Sequence, residues 1–74
     1  MSDDVYRQEM DRADWLIDAG QYERAMQILS GLLARHPDNA GNTYIALAYA
    51  HGRAGRLKDT EAAARRAIAA LPDN

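Results

Sequence analysis

Two histidines, four aliphatic hydroxyls and eleven carboxylates are the side chains with chemical reach in this chain, and spacing decides whether they can cooperate. His36 and His51 stand 15 residues apart with no third ligand three or four positions away, so they do not make a metal site. Ser2, Ser30, Thr43 and Thr60 have no partner base at a recognisable spacing, and the carboxylates are scattered over polar faces. Gly20, Gly31, Gly41, Gly52 and Gly55 form no phosphate-cradling loop. The pair Arg65-Arg66 lacks the basic neighbours that a nucleic-acid stripe needs. No catalytic residue, metal or cofactor follows from these patterns. The chain reads as a non-enzyme. His36 is expected at a helix end, and His51 as a core histidine holding one hydrogen bond.

Composition narrows the class further. Seventy-four residues make one small unit, near the lower limit of what one hydrophobic core stabilises. There is no cysteine, so no disulfide or thiolate metal site can staple it. The apolar fraction is 47%, enough to fold, but alanine supplies much of it and phenylalanine is absent. Net charge is −2, with both signs interspersed, which is no footprint for nucleic acid or anionic lipid. A pI near 5.5 also argues against a DNA-binding helix–turn–helix. The acidic N-terminus has no secretory pattern, and no apolar run approaches a membrane span. A cytoplasmic location is the expectation.

The elements that must position any site are helices. Ser2-Asp3-Asp4 suits a cap, and Tyr6, Met10, Ala13 and Ile17 then recur at helical spacing, with Val5 and Leu16 beside them. Trp15 breaks this pattern. At about 100° per residue it lies nearly opposite Ala13 and Ile17, among Gln8, Asp11 and Asp18. Gly20 ends that helix. A second helix carries Tyr22, Ala25, Met26, Ile28, Leu29, Leu32 and Leu33 inward, and Pro37 stops it. Asp38 to Asn42 reads as a turn and cap cluster. The third helix is apolar nearly all round, as in a helix sandwiched between neighbours. After Gly55 a fourth helix turns Leu57, Ala64, Ala67, Ile68 and Leu71 inward. Gly31 and Gly52, inside helices, each cost about 1 kcal/mol relative to alanine, and close helix approach is their expected use. The fold class is all-α: two antiparallel helix–turn–helix hairpins, with helices at about 3–19, 22–35, 41–54 and 57–70.

The two hairpins repeat. Gly20 and Gly55, Pro37 and Pro72, Asn39 and Asn74 are each separated by 35 positions. Gly20-Gln21-Tyr22, Ala25, Leu29, Leu32 and Pro37 in one unit are matched by Gly55, Leu57, Ala64, Ala67 and Pro72 in the next. Tyr44, Leu47 and Ala48 lead that second unit. This skeleton resembles the tetratricopeptide repeat, a helix–turn–helix unit with a period of 34 residues, over about residues 6–74. The chain departs from that pattern by one residue per period, placed in the Asp38–Asn42 turn. Glu9 and Arg12 stand where the family has large apolar residues. Thr60 and Glu61 replace an alanine and its apolar neighbour, which weakens the surface on which a further repeat would stack.

The resemblance implies one domain, residues 1–74, built as a right-handed solenoid of two repeats, 3–39 and 40–74. It also implies a protein-binding scaffold, adaptor or chaperone. The groove that takes a peptide or partner helix would be lined by Met10, Asp14, Ile17 and Asp18 of the first helix. Ile45, Tyr49 and Arg53 of the third would face them. The lysines and asparagines with which one subgroup holds a terminal carboxylate are missing. The mixed apolar and acidic lining favours a hydrophobic anchor accompanied by a basic residue. Trp15, on the polar side of its helix, is expected at an oligomer or partner interface. Solenoids normally need about three repeats, so two require cover. The chain is read as self-associating or partner-bound, with a fragment of a longer array as the other explanation. A purely oligomerising domain without an external ligand is the rival reading.

Overall fold

The computed structural model describes residues 2–71, with side chains from residue 4 onward. The expected Ser2-Asp3 cap side chains and the terminal Pro72-Asp73-Asn74 lie outside the described residues. Four helices run in order: α1, Ser2–Asp18; α2, Tyr22–Arg35; α3, Ala40–Arg53; α4, Leu57–Ala70. No strand occurs among the described residues. None of these helices is long and apolar enough to cross a membrane.

Glycine shapes both hairpins in the same way. Gly20 has φ 82° and Gly55 has φ 79°, the left-handed region that a side chain penalises. At the first, the Gly20 amide donates to the Ile17 carbonyl (3.0 Å) and the Gln21 amide to that of Leu16 (2.8 Å). At the second, Gly55 donates to Gly52 (3.1 Å) and Arg56 to His51 (2.9 Å). Each pair is a Schellman closure that satisfies carbonyls at a helix end. The backbone bonding repeats at the same offset of 35 as the residues.

Between the hairpins the expected turn is a short one. Only His36 separates α2 from a single 3₁₀ turn, Pro37–Asn39, which runs directly into α3. Proline at its first position fits, because that amide would have no helical partner. Asn39 precedes α3, but its side chain makes no cap bond. Its carbonyl instead accepts from the Thr43 hydroxyl at 3.0 Å, and Tyr6 reaches both: 2.8 Å to Thr43 Oγ1 and 3.3 Å to Asn39 O. Thr43 is fully buried, so this bonding removes what would otherwise be an unsatisfied polar group.

The core gathers Ala13, Leu16 and Ile17 from α1, Ala25, Leu29 and Leu32 from α2, Ala46, Leu47 and Ala50 from α3, and Ala63 from α4. As expected of a helix apolar on most sides, α3 packs against α1, α2 and α4. By contrast, α4 packs on α3 alone among the described elements. Leu57 and Ile68 were expected inside, yet they are 78% and 75% exposed, and Leu71 is exposed as well. Of the residues expected to face inward only Ala67 is buried; α3 packs on the Ala63–Ala67 edge of the helix and leaves Leu57 and Ile68 outside. Gly31 makes no close helix contact either, since an added Cβ would meet only the Arg35 side chain, at 3.4 Å. The close approach is at Gly41, where a Cβ would lie 2.6 Å from Leu71 Cδ2. Gly52 faces Thr60 at ordinary packing distance.

Candidate functional site

Facing surfaces of α1 and α3 enclose an open cleft of about 870 Å³. Met10, Asp14 and Asp18 line it from α1 at intervals of four residues, so they share one helix face. Asn42, Ile45, Ala46 and Tyr49 line it from α3 at intervals of three, four and seven residues. Ile45 and Tyr49 are about half exposed, apolar surface that no part of the described chain covers. Met10 is half-buried and anchors the floor to the core.

The cleft has two different ends. Tyr6, Arg7 and Asn39 border one. At the other, the Tyr49 hydroxyl donates to Asp18 Oδ1 at 2.9 Å, and Arg53 Nη1 donates to the Tyr49 oxygen at 2.9 Å. Arg53 Nη1 also lies 3.4 Å from the same Asp18 oxygen. The Tyr49 hydroxyl, followed by nearby Tyr22 and Asp18, favours the charged guanidinium. These groups are solvent-exposed, so the cluster orients side chains more than it stabilises the fold. It ties α1 to α3 across the end of the cleft.

Asp14 is left without such a partner. It makes no ion pair or side-chain hydrogen bond among the described residues. Partial burial against the cleft wall pushes its carboxyl above the usual aspartate range, and the neighbouring Asp11 and Asp18 push it the same way. An unpaired carboxylate beside apolar Met10 and Ile45 is a place where an incoming cation would gain.

The structure thus brings together six of the seven groove residues read from sequence: Met10, Asp14, Asp18, Ile45, Tyr49 and Arg53. Ile17 is a correction. It is completely buried in the core and presents nothing to the cleft. Its place in the stripe with Tyr6, Met10 and Ala13 already indicated the inner face. Tyr6, Arg7, Asn39, Asn42 and Ala46 were not anticipated, although Arg7 and Asn42 lie one turn from Met10 and Ile45 and so share their faces.

Trp15 lies outside this cleft and is 68% exposed. His51 is half-buried, and its Nδ1 has no hydrogen-bond partner among the described residues, so the single bond expected of it is missing there. The nearest carboxylate oxygen, on Asp59, is 4.0 Å away, beyond hydrogen-bond reach. His36 packs its ring edge-on to Tyr6, at 5.4 Å between centroids. Among the described residues no three His, Asp or Glu side chains gather as metal ligands. Comparison of the chain with protein-family models, curated proteins and solved structures finds no match, so residues and geometry carry the functional reading.

Proposed function

We propose that the chain is a protein-binding module whose α1–α3 cleft takes up a peptide or partner helix, with no chemistry of its own. The observation that carries this reading is the pairing, in one open cleft, of apolar surface (half-buried Met10 and half-exposed Ile45) with the unpaired carboxylate of Asp14. The ligand that fits has a hydrophobic anchor and a lysine or arginine about one turn or two extended residues away. The resemblance to tetratricopeptide repeats supports a scaffold, adaptor or chaperone role, since helices in these positions line that family's binding surface. Two stacked repeats in a right-handed solenoid are the architecture consistent with it, and a cytoplasmic setting suits its charge and lack of cysteine.

Selection from a random peptide library, followed by calorimetry, tests this. The expected consensus pairs an aliphatic or aromatic residue with a basic one, and Asp14→Lys abolishes binding of the selected peptides. Peptides that bind Asp14→Lys as well as the native chain would sink the reading.

A further inference from the structure

We propose that copies of this chain assemble head to tail, the exposed face of α1 around Trp15 docking on the exposed stripe of α4 in the next copy. The internal repeat supplies the template. At the joint inside the chain α3 packs on α2, and Leu29 of α2 and Ala50 of α3 are both completely buried. Shifting by 35 residues carries α2 onto α4 and α3 back onto α1. Leu29 becomes Ala64 and Ala50 becomes Trp15.

Two exchanges make these end faces complementary. In size, large Leu29 and small Ala50 become small Ala64 and large Trp15, so the bulk moves from the α2-type face to the α1-type face. In charge, Met26 becomes Glu61 on the α4 face, and Leu47 becomes Arg12 on the α1 face. An apolar pair of positions has been replaced by opposite charges, one on each end. A lone glutamate on an apolar stripe disfavours a second α4 but suits an α1 that carries Arg12. Arg12 has no ion pair among the described residues. Glu61 holds Arg65 at 3.0 Å, an exposed pair within one helix that can exchange partners.

The apolar remainder agrees. Leu57 and Ile68 correspond to Tyr22 and Leu33, which are partly buried against the core on α2, a helix that packs on both α1 and α3. On α4 the same positions are 78% and 75% exposed. A joint between unlike faces leaves one α1 and one α4 face free at the ends, so it propagates until it closes into a ring or continues as a filament. One helix-on-helix joint is small, which makes assembly concentration-dependent. None of these residues lines the α1–α3 cleft, so peptide binding there and assembly stand or fall separately.

Sedimentation velocity on the 74-residue chain, from micromolar to about 1 mM, is the test. The native chain should grow in mass with concentration, whereas Trp15→Asp and Ile68→Asp should each sediment as monomers. Mixed together, those two variants should form a dimer and nothing larger, because each retains one working face. Arg12→Glu and Glu61→Arg should each weaken assembly about tenfold, and the double reversal should restore it. Circular dichroism should show unchanged helicity in every variant, and the charge reversals carry the test if an aspartate variant loses helix. A native chain that stays monomeric at the highest concentration overturns the proposal and leaves the α4 stripe to a different partner. Dimers that persist in Trp15→Asp, or a mixture that stays monomeric, overturn it in favour of a symmetric contact.

Discussion

The first hairpin buries Leu16, Ile17, Leu29 and Leu32, whereas the second, at the equivalent positions, has His51, Gly52, Ala64 and Ala67. The two share the same turn geometry and the same backbone bonds, yet nearly every large core residue sits in one of them. Backbone closure therefore sets the hairpin, and side-chain size sets how it holds. Small residues let α3 and α4 lie close along most of their length, so the second hairpin gains contact between backbones and Cβ atoms. Two of its large apolar residues, Leu57 and Ile68, remain outside.

The largest expected effect would break this contrast outright if it failed. Leu32→Ala should cost about 2–5 kcal/mol, while Ala67→Gly at the equivalent position should cost about 1 kcal/mol, mainly through helix propensity. Denaturant midpoints compare them directly, and equal losses would mean that the core is shared evenly. Next comes the polar link between the hairpins. Thr43→Val removes the hydroxyl that joins Tyr6 to Asn39 and should lose about 1–2 kcal/mol. Tyr6→Phe combined with it should add little, because the two groups act as one unit. A fully additive double variant would show that Tyr6 and Thr43 act independently.

A smaller effect sharpens the account of close approach in the second hairpin. Gly41→Ala gains helix propensity, worth up to about 1 kcal/mol, but its Cβ must displace Leu71. The net change in the native chain should be close to zero. With Leu71→Ala already present, Gly41→Ala should stabilise by most of that propensity, read from thermal melts. The smallest effect is on the cleft. Asp14 has a folded-state carboxyl raised above its ordinary range, so the folded chain holds that proton more tightly than the unfolded chain. Stability from this group is fully present below the ordinary aspartate range and is lost as pH rises through the raised value. Asp14→Asn should therefore raise the melting temperature slightly at pH 7, within about 0.5 kcal/mol, and lose that advantage near pH 3. A basic peptide that pairs with Asp14 should bind more weakly as the pH falls through the same range.

Much of the fold was legible because its punctuation is chemical. Gly20, Gly55 and Pro37 are residues with restricted conformational roles, and they fixed the bounds of α2 and α4 to the residue. Periodicity showed which side of each helix is apolar, but period alone does not say whether another element covers that side. Leu57 and Ile68 were misplaced for that reason. Ile17 shows the opposite error: a family's register put it in the cleft although its own spacing put it inward. The Gly41–Leu71 contact depends on how the chain packs across about 30 residues, and no local signal announces it.

The cleft is formed only when the joint between hairpins is intact, since α1 supplies one wall and α3 the other. Any molecule held there is thereby a clamp on the joint. Amide exchange in α4, which touches no part of the cleft, should slow when the cleft is filled, because opening the second hairpin away from the first would first have to release the occupant. In a chain whose weaker half rests on alanines, occupancy would then decide how long that half stays folded.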